Sequence, residues 1–267
     1  MEPGRLDLDP LRRVVATRYV TPLREGGSLP ALLEADDDGL YVVKLLGAGH
    51  GAKALTAELL AGEIGRRLGL PVPELVLVEL DPALAKAEPD QEIQELLERS
   101  AGINVGLDFL PGSLPYAPAT APPLDPELAA SIVWLDGLVM NIDRTVRNPN
   151  LLVWHRRVWL IDHGVAFPIH HTWRDPDAHA RRPFEGIRDH VLLPVAGPIE
   201  AVDETLASRL DERALRALVD AIPDAWLDPE PGLPDPAAHR AAYLGYLRRR
   251  LEAPRPFVLE ADRARAA

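Results

Sequence analysis

Apolar positions in the first hundred residues fall into short runs separated by turns. Residues 30–34 and 40–46 are two such runs, and they flank Asp36-Asp37-Asp38-Gly39, which predicts a hairpin with an acidic turn. Over residues 54–68 the spacing becomes helical: Leu55, Leu59, Ile64 and Leu68 recur near the helical period, and Gly69 follows as a stop. A strand is predicted over 75–80, after Pro71 and Pro73, then a short helix over 91–99 and an extended segment over 103–110. From Pro111 to Pro126 the prolines at 111, 115, 118, 122, 123 and 126 exclude regular structure and predict a connector between two halves. Beyond it the pattern turns helical. Asp125-Pro126-Glu127 reads as an N-cap followed by proline at the first helical position, opening a helix to about Met140 that buries Leu128, Ile132, Leu135 and Val139. Two short strands, 151–154 and 158–161, are separated by His155-Arg156-Arg157, and amphipathic helices over 203–221 and 236–252 close the chain. The expected organisation is a strand-rich unit over 1–110 and a helical unit over 111–267, with no internal repeat.

Composition narrows the chemistry. The 267 residues carry a net charge of −12, which argues against binding nucleic acid directly or lying on a membrane surface, since both need a dense positive field. At 47% hydrophobic and 26% charged the chain can fill a core. The absence of cysteine excludes disulfides, cysteine-ligated zinc, iron–sulfur clusters and thiol nucleophiles. No apolar run is long enough for a membrane span, and residues 1–13 lack the apolar stretch of a secretory signal, so a cytoplasmic location is expected.

Against this background a few residues stand out. Only Lys44, Lys53 and Lys86 are lysines among 29 basic residues, and Lys44 interrupts an apolar strand, where burial is costly unless an anion meets it. Glu58 on the following helix is a natural partner, with Glu63 as a competitor. The richest stretch runs from Asn141 through Asp143 and Asn148 to Asn150, continues through two strands, and ends at Asp162-His163-Gly164. A carboxylate, an amide five residues later and a second carboxylate after a hairpin are the groups phosphoryl transfer uses: one carboxylate orients the attacking hydroxyl, and the amide and the other hold Mg²⁺ against the phosphates. Upstream, Gly26-Gly27-Ser28 is a turn whose free backbone N–H groups could cradle phosphate.

Taken in order, Gly26-Gly27-Ser28, Val43-Lys44, Glu58 ahead of Leu68-Gly69-Leu70-Pro71-Val72-Pro73, Asp143-Arg144, Asn148 and Asp162 resemble the HipA-like kinase family, over roughly residues 20–165. The resemblance implies an α+β, two-lobed, protein-kinase-like fold related to the phosphatidylinositol kinases, with a β-rich N-lobe and a helical C-lobe. It implies ATP and Mg²⁺ as cofactors and a protein, lipid or small-molecule hydroxyl as phosphate acceptor. Lys44 would contact the phosphates and Glu58 pair with it. Asp143 would be the catalytic base, and Asn148 and Asp162 the Mg²⁺ ligands. The segment 105–110, with Asp108, would be the hinge beside adenine. The chain departs from the protein-kinase pattern in lacking a G-x-G-x-x-G loop and in placing His163 after Asp162 where ordinary protein kinases have Phe. The N-terminal extension and activation-loop serine of HipA toxins have no evident counterpart.

Other readings compete. Gly47-Ala-Gly49-His-Gly-Ala52, after a strand and before a helix, fits a dinucleotide fingerprint and would make the protein an NAD-dependent oxidoreductase. His163, His170, His171 and His179 match no zinc template and are expected to be solvated or to face substrate. A kinase-like chain can also bind nucleotide as a regulator without transferring phosphate.

Overall fold

The structure is a computed structural model describing residues 11–23, 30–49 and 51–267. The turn Gly26-Gly27-Ser28 lies outside the described residues. Strand β1 (Arg12–Pro22) leads into the hairpin β2 (Ala31–Ala35) and β3 (Leu40–Lys44), then helix α1 (Ala52–Arg67), β4 (Leu75–Leu80), α2 (Gln91–Arg99) and β5 (Gly102–Asp108). The strands close a barrel in the order β1-β2-β3-β5-β4, with β1 and β4 parallel and every other pairing antiparallel.

Strand alternation sorts the barrel's side chains into two cores. Val14, Ala16, Leu33, Val43, Val76 and Val78 point inward, and Ile93, Leu96 and Leu97 of α2 join them. Leu75, Leu77, Val105 and Leu107, the alternate positions of β4 and β5, point outward and pack under α1 in the larger core that contains the C-terminal helices. Gly106 is confined to glycine by this geometry, because an added Cβ would lie 2.8 Å from Val78 Cγ2. Helix α1 is enclosed between the barrel and α3 (Pro126–Val139), and an added Cβ at Gly65 would meet both Val72 and Leu135.

The helical part corrects three sequence expectations. The segment 203–221 is two helices, α5 (Glu200–Ser208) and α6 (Glu212–Asp220), because Asp211 caps a new start by accepting the Ala214 N–H at 2.8 Å. The proline-rich connector holds a two-residue strand, β6 (Leu114–Pro115), paired with the hairpin β7 (Leu151–Trp154) and β8 (Arg157–Leu160). After the short α4 (Pro176–Ala180) and the long α7 (Pro236–Leu251), a further helix α8 (Pro256–Ala266) starts on a proline and ends the chain. The strand β1 was also absent from the sequence expectation: its Arg12, Arg13, Thr17, Arg18 and Thr21 dilute an alternation in which only Val14 and Ala16 are buried.

Arg250 of α7 ties these helices together. Its guanidinium donates to the backbone carbonyls of Gly137, Leu138, Ala180 and Arg182 and lies 4.7 Å from the centre of the Phe257 ring. Buried without a carboxylate partner, it is pushed down to about 10. Among the described residues no helix is long and apolar enough to cross a membrane.

Candidate active site

Lys44 ends β3 opposite Val105, and alternation turns its side chain to the face that α1 covers. Glu58, in the second turn of α1, is fully buried there and accepts from Lys44 Nζ at 2.9 Å. Its Oε2 also accepts the His163 backbone N–H at 2.6 Å. Lys44 Nζ simultaneously donates to Asp162 Oδ1, whose side chain is 37% exposed. Burial opposes the ammonium's charge, but the Glu58 and Asp162 carboxylates outweigh it and hold Lys44 above its ordinary value. Burial likewise opposes the Glu58 charge, and Lys44 and the His163 contacts reverse the balance, keeping this carboxyl well below the usual range. Glu63 is engaged elsewhere, by Arg66 at 2.7 Å.

The second group of residues sits where the β7–β8 hairpin opens. Asn150 precedes β7, Asp162 follows β8, and the Ile161 N–H donates to the Asn150 carbonyl at 3.1 Å to join the two ends. Asn150 and Asp162 both adopt left-handed φ, 47° and 57°. Asp143 Oδ2 accepts from Asn148 Nδ2 at 2.7 Å and from Asn150 Nδ2 at 3.0 Å, and Asn150 Nδ2 lies 3.5 Å from the Asp162 carbonyl. Asn150 therefore bridges the Asp143 loop to the Asp162 loop, a role the sequence reading did not give it. The signal was present: three of the chain's four asparagines fall between residues 141 and 150.

Beneath this loop lies a fully buried ion pair that the sequence reading also missed. Asp136 of α3 accepts from Arg144 Nε at 2.6 Å, from Asn141 Nδ2 at 3.1 Å and from His190 Nε2 at 2.9 Å. Both side chains of the Asp136–Arg144 pair are completely buried. The Leu192 N–H donates to His190 Nδ1 at 3.1 Å, so Nδ1 is unprotonated and Nε2 carries the proton given to Asp136. Burial works against the Asp136 charge, and Arg144 and His190 overcome it, holding the carboxyl well below its usual range. Burial lowers His190 despite Asp136.

The remaining candidates separate from this centre. Asp108 ends β5, three residues beyond Val105; its N–H donates to the Glu74 carbonyl at 2.9 Å, and burial and Glu74 raise its carboxyl. The histidines do not form a solvated cluster. His163 and His170 are buried, His170 Nδ1 meets the Tyr243 hydroxyl at 2.9 Å and His179 Nδ1 the Tyr246 hydroxyl at 3.1 Å, leaving only His171 exposed. The tyrosine contacts tie His170 and His179 to α7, and His163 packs beside Glu58 of α1. The glycine turn after β3 is no dinucleotide site: β3 does not pair with β4, the strand that follows α1, because β5 lies antiparallel between them, and the Leu46 and Gly47 N–H groups are spent on Asn104 Oδ1 and Ser100 Oγ.

The sequence profile of HipA-like kinases matches residues 17–247. The chain belongs to that family. None of the curated proteins matches this HipA-like kinase. Among solved structures it is similar to the Helicobacter pylori proinflammatory kinase CtkA, at TM-score 0.60 and 13% identity, covering 96% of this chain and 99% of that one. It is also similar to the Golgi casein kinase, at TM-score 0.45 and 14% identity, covering 96% of this chain and 72% of that one; a further structure of that kinase has Mn and ADP bound. The likeness to CtkA shows a kinase-like fold, with its strand-rich and helical parts in one chain. The groups expected to hold the metal at the HipA-like centre, the Asp162 carboxylate and the Asn148 amide oxygen, are both oxygen donors, and the Asn148 contact to Asp143 is made through Nδ2. Such hard donors fit Mg²⁺, which takes one or two carboxylates and leaves further positions to water and phosphate.

Proposed function

We propose that this HipA-like kinase is an ATP- and Mg²⁺-dependent phosphotransferase that moves the γ-phosphate of ATP to a hydroxyl acceptor, a protein Ser or Thr foremost. The reading rests on one observation above all: Asn150 links the Asp143 carboxylate to the loop of Asp162, whose own carboxylate already meets the Lys44–Glu58 pair. In this reading residues 1–110 and 111–267 are the two lobes, and nucleotide lies between them with its adenine beside 105–110. Lys44 contacts the phosphates, and Glu58 orients the ammonium. Asp143 accepts the acceptor's proton, held by the amides of Asn148 and Asn150. Asn148 and Asp162 would hold Mg²⁺, which would supply positive charge against the phosphates. The partial exposure of the Asp162 carboxylate beside Lys44 leaves it free to take a cation from solvent.

The test uses Asp143→Ala. Transfer from radiolabelled ATP to acceptors in a cell extract, or hydrolysis of ATP, is expected to fall by about 10²–10⁴-fold while ATP·Mg²⁺ affinity stays near wild type. A wild-type protein that binds ATP·Mg²⁺ yet neither labels nor hydrolyses would overturn the transferase reading in favour of a nucleotide-binding regulator.

A further inference from the structure

The residues after Asp162 leave the centre, pass through α4 and return to it at His190. Two backbone contacts mark the return: Thr145 and His190 form an isolated antiparallel bridge, and the Val191 N–H donates to the Arg144 carbonyl at 3.0 Å. Thr145 is itself the organiser of the Asp143 loop, since its N–H donates to the carbonyls of Asp143 and Asn148 at 2.9 and 3.0 Å. Below, Asp136 receives His190 on one side and Arg144 on the other. The Arg144 guanidinium then reaches forward to the Asn150 carbonyl and to the Ile161 carbonyl at 3.3 Å, the residues beside the two ends of the hairpin. A continuous chain of buried contacts therefore runs from His190 through Asp136 and Arg144 to both loops of the candidate centre. None of its members touches Lys44 or Glu58.

We propose that His190 is a positioning residue for the transfer step, acting through Asp136 and Arg144 to hold the Asp143–Asn150 loop in register with Asp162, without acting on the Lys44 contact to nucleotide. The inference rests on the phosphotransferase reading above for its kinetic consequence and on the contacts alone for its structural one. Its logic is that a carboxylate positioned against an acceptor hydroxyl loses rate steeply with small displacements, about 10²-fold for 1 Å, whereas contacts to the nucleotide phosphates come from the other group.

Two conservative variants of the full chain separate the His190 contacts. In His190→Gln the side-chain Nε2 takes the place of the imidazole Nε2 and can still donate to Asp136. In His190→Asn the amide occupies the Nδ1 position, where it can accept from Leu192 but cannot reach Asp136. The measurements are kcat for transfer or ATP hydrolysis, affinity for ATP without Mg²⁺ by calorimetry, and backbone amide exchange over residues 143–150. The expected result is a kcat about tenfold lower in His190→Asn and close to wild type in His190→Gln, with the affinity for ATP without Mg²⁺ within about twofold in both. Exchange over the loop should quicken in His190→Asn alone. The proposal is overturned if His190→Asn keeps the wild-type kcat while only its Tm falls, if affinity falls in step with kcat, or if His190→Gln is the more damaged variant. Should the wild type neither transfer nor hydrolyse phosphate, the phosphotransferase reading fails by itself. Amide exchange then decides the coupling, and unchanged exchange in His190→Asn would overturn it.

Discussion

The structure contains two buried ion pairs within one chain turn of the same loops, and they are built differently. In the Arg144–Asp136 pair both side chains are completely buried, and the carboxylate is filled by Arg144, Asn141 and His190. In the Lys44–Glu58 pair the carboxylate is buried but the ammonium is shared with Asp162, which faces out. A saturated pair has no reason to change partners, because every alternative leaves a charge uncompensated in a region without water. A shared ammonium beside an exposed carboxylate can release one partner without stranding it. The first pair is therefore a fixed mount and the second an exchangeable contact, and the residues proposed to act on substrate hang between them.

Acid reaches both centres together and is expected to have the largest effect. Glu58 and Asp136 are held below the ordinary carboxylate range, so each contributes stability that is complete above about pH 4.5 and lost as pH falls through the native value. His190 is also lowered: the unfolded chain takes up its proton first, and stability declines once pH drops below about 6.5. The physical cause is burial, which disfavours the imidazolium, and a proton on Nδ1 would also confront the Leu192 N–H. Urea titrations from pH 8 to pH 4 should show the midpoint falling in two stages, first below about 6.5 and then more steeply near 4. His190→Gln should shrink the first stage, leaving the part due to His179, which burial also lowers. A midpoint that stays level from pH 8 to pH 5 would contradict the neutral, buried His190.

Single substitutions should then split the two centres. Arg144→Met leaves Asp136 charged and buried, and is expected to cost about 3–5 kcal/mol in denaturant unfolding. Lys44→Met should cost less, about 1–3 kcal/mol, because Glu58 keeps the His163 N–H and Asp162 can turn to solvent. Activity should rank the other way, with Lys44→Met inactive at temperatures where it is folded. Equal stability losses would mean that Lys44 is as much a structural mount as Arg144.

The sequence made one of these centres legible and hid the other. Lys44 announced itself as a charge in an apolar strand, and Glu58 as the acid on the next helix. Asp143, Asn148 and Asp162 were found through their spacing around a hairpin. Asp136, by contrast, is one acid in an apolar helix whose partners lie 8 and 54 residues away, and no local pattern connects them. Likewise the barrel's hairpin and α1 follow from periodicity, whereas its closure by β1 against β4 is a parallel pairing between distant segments. The break between α5 and α6 hinges on Asp211, whose capping role shows only when Ala214 is seen to donate to it.

The smallest expected effect concerns the outer edge of α1. Lys53, in its first turn, meets Glu230 Oε1 at 2.7 Å, with about 30% of each side chain exposed. Nearby, Trp226 Nε1 donates to the Ile103 carbonyl at 2.9 Å, so the segment leading into α7 touches both α1 and β5. If the enclosure of α1 by the barrel and α3 already fixes Glu58, this ion pair adds only what an exposed pair adds. Lys53→Gln should then lower stability by about 0–1 kcal/mol, the difference should shrink in 0.5 M salt, and transfer should change by less than about threefold. Lys53→Glu paired with Glu230→Lys should behave as wild type. A tenfold loss of transfer in Lys53→Gln with stability intact would show that α1 is steered from its surface. The exchangeable centre would then have a mount of its own, at the junction of α1 with the approach to α7.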